Sequence, residues 1–77
     1  MEKLSDTLIK ASILKCQAEV EAAKATIALY TTSPVGVGEH PDIVQEILNA
    51  AESGAAAQEK LDFLAEASPR AAFFIKK

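Results

Sequence analysis

Two apolar seams with the same heptad spacing constrain the fold of this chain most. In the first half, apolar positions recur with spacings of 4, 3, 4, 3, 4 and 3 at Ile9, Ile13, Cys16, Val20, Ala23, Ile27 and Tyr30. In the second half, the same spacings occur at Ile43, Ile47, Ala50, Gly54, Ala57, Leu61 and Leu64. A repeat of this kind places its members on one face of an α-helix, where they pack against another helix. The sequence therefore predicts an all-α fold with two long helices.

Prolines mark where these helices begin and end. Pro34 disfavours helical geometry in the residue before it, which ends the first helix. Pro41 lies where a first helical residue would, since its missing N–H needs no partner there. Pro69 stops the second helix. The 77 residues are thus predicted to form a single domain, 1–77, with helices at about 5–31 and 42–67, an interhelical loop at 32–41 and a short apolar tail at 69–77.

The two seams fit each other when the helices run in opposite directions. The residue numbers of facing pairs then add to 73 or 74, as for Ile13 with Leu61 and Ala23 with Ala50. Small residues meet in the middle of this register, which predicts a close approach of the helices near Ala23, Ala50 and Gly54. The predicted unit is an antiparallel helical hairpin.

Further apolar residues lie outside the seams and would face water in an isolated hairpin. They form one stripe on each helix, namely Leu4, Leu8, Ala11, Ala18, Ala22, Ala25 and Leu29, and then Val44, Leu48, Ala51 and Ala55 together with Phe63. Contiguous exposed apolar stripes mark interaction surfaces. We therefore expect two hairpins to assemble into a four-helix bundle, most simply a two-fold homodimer. A different protein partner and a monomer are the alternatives.

The predicted interface also includes the tail, which contains Phe73, Phe74 and Ile75 in succession. The full set of predicted interface residues is Leu4, Leu8, Ala18, Ala22, Leu29, Val44, Leu48, Phe63, Phe73 and Phe74. Three positions for the tail remain open at this point. It caps an open end of the bundle, docks onto another protein, or contacts an anionic membrane through its phenylalanine and lysine side chains.

Charge and composition exclude several classes of protein. The net charge of −3 argues against a nucleic-acid-binding protein, which usually carries a basic surface. No apolar run reaches 18 residues, so no membrane span is expected. The single cysteine rules out an internal disulfide and fits a reducing compartment, and the first residues lack a signal-peptide pattern. The cytoplasm is the expected location, which is the host cytoplasm for a viral protein.

No catalytic, cofactor-binding or metal-binding residues are predicted, and the chain is not expected to be an enzyme. His40 lies between Glu39 and Pro41, and three neighbours such as Glu39, His40 and Asp42 rarely converge on one ion. Cys16 falls in the seam, where cysteine packs as a small apolar residue. The loop residues of interest are Gly36, Gly38, His40 and Pro41, which either shape the hairpin or form a recognition surface.

The loop and its flanks carry a resemblance. The stretch from Tyr30 through Pro34-Val35-Gly36 to Gly38-Glu39-His40-Pro41-Asp42, followed by an Ala/Glu-rich helix with Lys60-Leu61-Asp62, resembles short uncharacterised proteins of tailed bacteriophages and marine viral metagenomes. The resemblance covers about residues 20–66 and excludes the tail. It implies two helices joined by this turn and a viral setting, and it implies no functional site.

The predicted function follows from these expectations. The chain is expected to be a small non-enzymatic, self-associating helical protein of viral or bacterial origin that serves protein–protein interaction or assembly. The alternative is an adaptor or inhibitor that binds a specific host or viral protein. Its contact would be the loop at 38–42 or the acidic segment 42–66, which has six carboxylates against Lys60.

Overall fold

The fold is all-α across residues 3–32 and 42–76, the part of the chain that the computed structural model describes, and no β-strand occurs there. The three helices are α1 (Leu4–Thr32), α2 (Ile43–Ala67) and α3 (Pro69–Lys76). The bounds of α1 and α2 agree with the predicted ones to within one residue at each end. Thr32 belongs to α1 rather than to the loop, and residues 33–41 lie outside the described part.

The start of α2 differs from the prediction. Asp42 is the N-cap residue, and its Oδ1 accepts a hydrogen bond from the backbone N–H of Gln45 at 2.9 Å. Aspartate is favoured at this position because its carboxylate satisfies an otherwise unpaired N–H and suits the positive end of the helix dipole. Since Asp42 is the N-cap and Ile43 the first helical residue, α2 begins one residue later than predicted.

The prediction of two helices followed by a short tail is wrong at the C-terminal segment, because residues 69–76 form a third helix. Ser68 closes α2 by donating its N–H to the Leu64 carbonyl oxygen at 2.9 Å. The same residue caps α3, because its Oγ accepts the Ala71 N–H at 3.2 Å and its carbonyl oxygen accepts the Ala72 N–H at 3.0 Å. Pro69 takes the first helical position, which favours proline. One Ser-Pro pair therefore ends one helix and begins the next.

The two predicted seams are buried between α1 and α2. All fourteen seam residues are buried or half-buried. The helices approach closely at Gly54, where an added Cβ would stand 2.8 Å from the Cβ of Ala23. The predicted close approach near Ala23 and Gly54 is therefore confirmed.

α3 packs onto the helix pair and completes its core. Ile13, Cys16, Leu61 and Ala71 form one buried cluster, against which Phe74 and Ile75 also pack. Ala71 has no exposed surface. Of the open alternatives for the C-terminal segment, the structure shows packing against its own chain, with each of the three helices contributing to one core.

We expect Ser68→Ala to weaken α3 more than the rest of the chain. The substitution removes the hydroxyl that accepts the Ala71 N–H, and loss of such a cap lowers helix stability by about 1 kcal/mol. Hydrogen exchange measured by mass spectrometry should show faster exchange in residues 71–76 and little change in α1. Ser53→Ala is the matched control, since Ser53 is exposed in the interior of α2. Equal effects of the two substitutions on α3 would contradict the capping role.

Candidate interaction surface

A second heptad stripe runs along α1 on the side away from its buried seam. Its positions follow the spacings 4, 3, 4, 3, 4, 3 and 4 at Leu4, Leu8, Ala11, Lys15, Ala18, Ala22, Ala25 and Leu29. We call these eight residues the α1 outer face. All of them are exposed. The face spans about 38 Å at 1.5 Å per residue, so it covers nearly the whole helix.

The α1 outer face is apolar apart from one position. Leu4, Leu8 and Leu29 are 74%, 58% and 52% exposed, and alanines fill most of the space between them. Lys15 is the only charged residue of the face. Its ammonium group forms no ion pair with the residues that the structure describes.

The apolar surface of α2 and α3 is less continuous. Val44 and Leu48 are exposed on the first half of α2, Phe63 lies near its end, and Phe73 is exposed on α3. Phe63 lines a shallow groove of about 540 Å³ between α1 and α2, together with Ser12, Cys16, Ala56, Glu59, Lys60 and Leu64. The predicted α2 stripe of Val44, Leu48, Ala51 and Ala55 is exposed, but it covers only the first half of the helix, and Phe63 and Phe73 lie apart from it.

Nine of the ten predicted interface residues are exposed, and Phe74 is half-buried. The Phe74 ring packs against the core cluster and meets the Phe73 ring edge-on at a centroid distance of 5.5 Å. The Lys10 Nζ lies 4.9 Å from the Phe74 ring centroid, within cation–π range. Phe74 therefore already has a packing role within its own chain.

Leu14 is an exposed apolar residue that the sequence reasoning missed. It is 64% exposed and lines a groove of about 220 Å³ with Lys10, Ile13, Gln17 and Phe74. Leu14 belongs to neither stripe of α1. The groove that Leu14 lines includes Phe74 of α3. Predicting a third helix after Ser68-Pro69 would therefore have pointed to Leu14.

Arg70 of the C-terminal helix forms an ion pair with α1. Arg70 Nε lies 3.3 Å from Asp6 Oδ1, which links α3 to the first turns of α1. Within α1, Lys24 Nζ lies 3.6 Å from Glu21 Oε2, and both of these side chains are largely exposed. An exposed pair such as Lys24–Glu21 contributes little stability.

The loop residues Gly36, Gly38, His40 and Pro41 lie outside the described residues, so their roles stay predictions. Across residues 3–32 and 42–76, no three His, Cys, Asp or Glu side chains are grouped as a metal site would require. None of the helices described combines the length and apolar character needed to cross a membrane.

Comparisons with protein-family models, with curated proteins and with solved structures return no match to this chain.

Proposed function

We propose that this protein is a small non-enzymatic helical protein that associates with itself and serves protein–protein interaction or assembly. In this proposal α1 and α2 form an antiparallel helical hairpin. Two hairpins then assemble with two-fold symmetry into a four-helix arrangement, such as the four-helix bundle expected from the sequence. The proposed setting is the cytoplasm, and the resemblance of the loop to phage proteins supports a viral origin.

Contacts along the helices support the hairpin. Ala23, in the second half of α1, lines the same groove as Ala50 in the first half of α2. Cys16, nearer the start of α1, lines a groove with Lys60 and Leu64 near the end of α2. Residue numbers therefore fall along one helix as they rise along the other, as expected for helices of opposite direction.

The observation that carries self-association is the balance of large apolar side chains. Among the described residues, the buried set contains only three large side chains, those of Ile13, Tyr30 and Leu61, and alanine or cysteine fills its other positions. Eight large apolar side chains are instead exposed, namely Leu4, Leu8, Leu14, Leu29, Val44, Leu48, Phe63 and Phe73. Fully burying a side chain of this size stabilises by about 1.5–3 kcal/mol. Association would supply the core that one chain lacks.

Size-exclusion chromatography with light scattering tests the proposal. We expect a mass of twice 8.2 kDa at micromolar concentration. Leu8→Glu should shift the protein toward the monomer, because it places a carboxylate within an apolar contact, where burial of an unpaired charge is unfavourable.

Gln58→Glu is the matched control, since it adds the same charge to an exposed position of α2. It should leave the mass unchanged. A monomer of 8.2 kDa at every concentration would overturn self-association and favour the adaptor alternative.

A further inference from the structure

We propose that the occupant of the α1 outer face is the same face of a second copy, packed antiparallel about a two-fold axis that passes between Cys16 and Gln17. This inference rests on the proposed self-association and specifies its partner surface. It places α1 of both copies at the centre and α2 of both copies outside. The four helices would then form a row rather than a square bundle.

The first argument is the pattern of side-chain sizes along the face. With the axis at this position, the residue numbers of facing pairs add to 33, so Leu4 faces Leu29 and Leu8 faces Ala25 of the second copy. Ala11 then faces Ala22 of the second copy. Alanines flank the central pair of Lys15 with Ala18 and let the two helices approach closely, and leucines close both ends. A shift of one heptad would leave leucines of each copy without a facing residue.

The second argument is charge. A parallel pairing would place Lys15 directly against Lys15 of the second copy, and like charges in an apolar contact are unfavourable. The antiparallel pairing instead places Lys15 opposite Ala18 of the second copy and offsets the two Lys15 residues by three positions, about 4.5 Å along the axis. Glu19 and Glu21 of that copy then lie within one helical turn of the ammonium group. The antiparallel arrangement thus adds carboxylates of the second copy to Glu19 of the same chain, which lies four residues after Lys15.

The inference also separates the predicted interface into two parts. Leu4, Leu8, Ala18, Ala22 and Leu29 lie on the α1 outer face and are buried in the dimer. The residues of α2 and α3 predicted for the interface, which are Val44, Leu48, Phe63, Phe73 and Phe74, lie outside this contact. Substitutions at the four exposed members of the second group, Val44, Leu48, Phe63 and Phe73, should leave the dimer intact.

Disulfide trapping tests the pairing. In a Cys16→Ala background, the double variant Leu8→Cys with Ala25→Cys should form a covalent dimer under mild oxidation on non-reducing gels. Within one chain these positions are about 25 Å apart along α1, too far for a disulfide. The single variants Leu8→Cys and Ala25→Cys are the matched controls. Each should stay uncrosslinked, because the proposed axis separates its thiol from the symmetry-related thiol by about the same 25 Å.

The outcomes of the trapping experiment distinguish a wrong pairing of the α1 helices from a failure of self-association. Efficient crosslinking of a single variant would show a parallel pairing and overturn the inference. A double variant that stays uncrosslinked while light scattering still gives a dimer would overturn this pairing and leave the proposed function standing. A monomer in light scattering would overturn both.

A charge exchange gives a second measurement that avoids any change at the buried Cys16. Lys15→Glu should raise the dissociation constant of the dimer by about tenfold, because it places carboxylates against carboxylates across the axis. Adding Glu19→Lys to this variant should recover most of the affinity. Failure of the second substitution to restore the dimer would contradict the antiparallel placement of Lys15.

Discussion

Replacing Gly54 by leucine is expected to lower the free energy of unfolding by about 3 kcal/mol, because α1 and α2 leave no room for a side chain at this position. Even a single Cβ at Gly54 would stand 2.8 Å from the Cβ of Ala23, closer than such atoms approach. Leucine would therefore push the helices apart and loosen the neighbouring seam contacts. Urea denaturation followed by circular dichroism, at one fixed protein concentration, measures the effect.

The matched test is a double-mutant cycle with Ala23. Alanine in place of glycine inside an exposed helix usually stabilises by about 1 kcal/mol, so Gly54→Ala would be favourable if helix propensity alone mattered. We expect it to destabilise instead, and we expect Ala23→Gly in the same chain to recover part of the loss by removing the opposing Cβ. Additive effects of the two substitutions would contradict direct contact between these positions.

Much of the fold could be predicted because the heptad spacing of the seams indicates both where the helices lie and which of their faces pack together. The spacing of apolar residues assigned all fourteen seam positions to the buried side, and the structure leaves none of them exposed. Gly54 in the middle of the second seam indicated a point where the helices approach closely. These features depend on local periodicity, which a single sequence contains in full.

The third helix was missed because two signals at the same place compete. Ser68-Pro69 stops α2, since proline cannot continue it, and the same two residues are a favoured helix start. The segment after them has only eight helical residues, too few to show a convincing period. Its helix is stabilised by the burial of Ala71 and the packing of Phe74, which are tertiary contacts that local sequence does not reveal.

The candidate surface was only partly predictable for a related reason. The stripe on α1 follows from spacing, and its exposure in the single chain is now shown. Phe74 was grouped with the exposed residues because the fold-back of α3 was not foreseen. Which apolar residues remain exposed thus depended on an element that the sequence reasoning did not recognise.

Replacing Ile13 by alanine is expected to lower the free energy of unfolding by about 2–5 kcal/mol, the range for large-to-small changes in a core. Ile13 is 3% exposed and belongs to the cluster that joins all three helices. A domain of this size has a total stability of roughly 4–12 kcal/mol, so the substitution would remove a large part of it. Urea denaturation again gives the magnitude.

Leu14→Ala is the control, because Leu14 is the next residue of α1, has the same number of carbon atoms to lose and is 64% exposed. We expect it to lower the free energy of unfolding by less than about 1 kcal/mol, since little buried surface is lost. Hydrogen exchange in α3 adds a second readout, because Phe74 and Ile75 pack against the cluster that contains Ile13. If Ile13→Ala destabilises α1 and α2 while exchange in α3 is unchanged, α3 does not share their core. Faster exchange in all three helices would show that the C-terminal helix unfolds with the pair it covers.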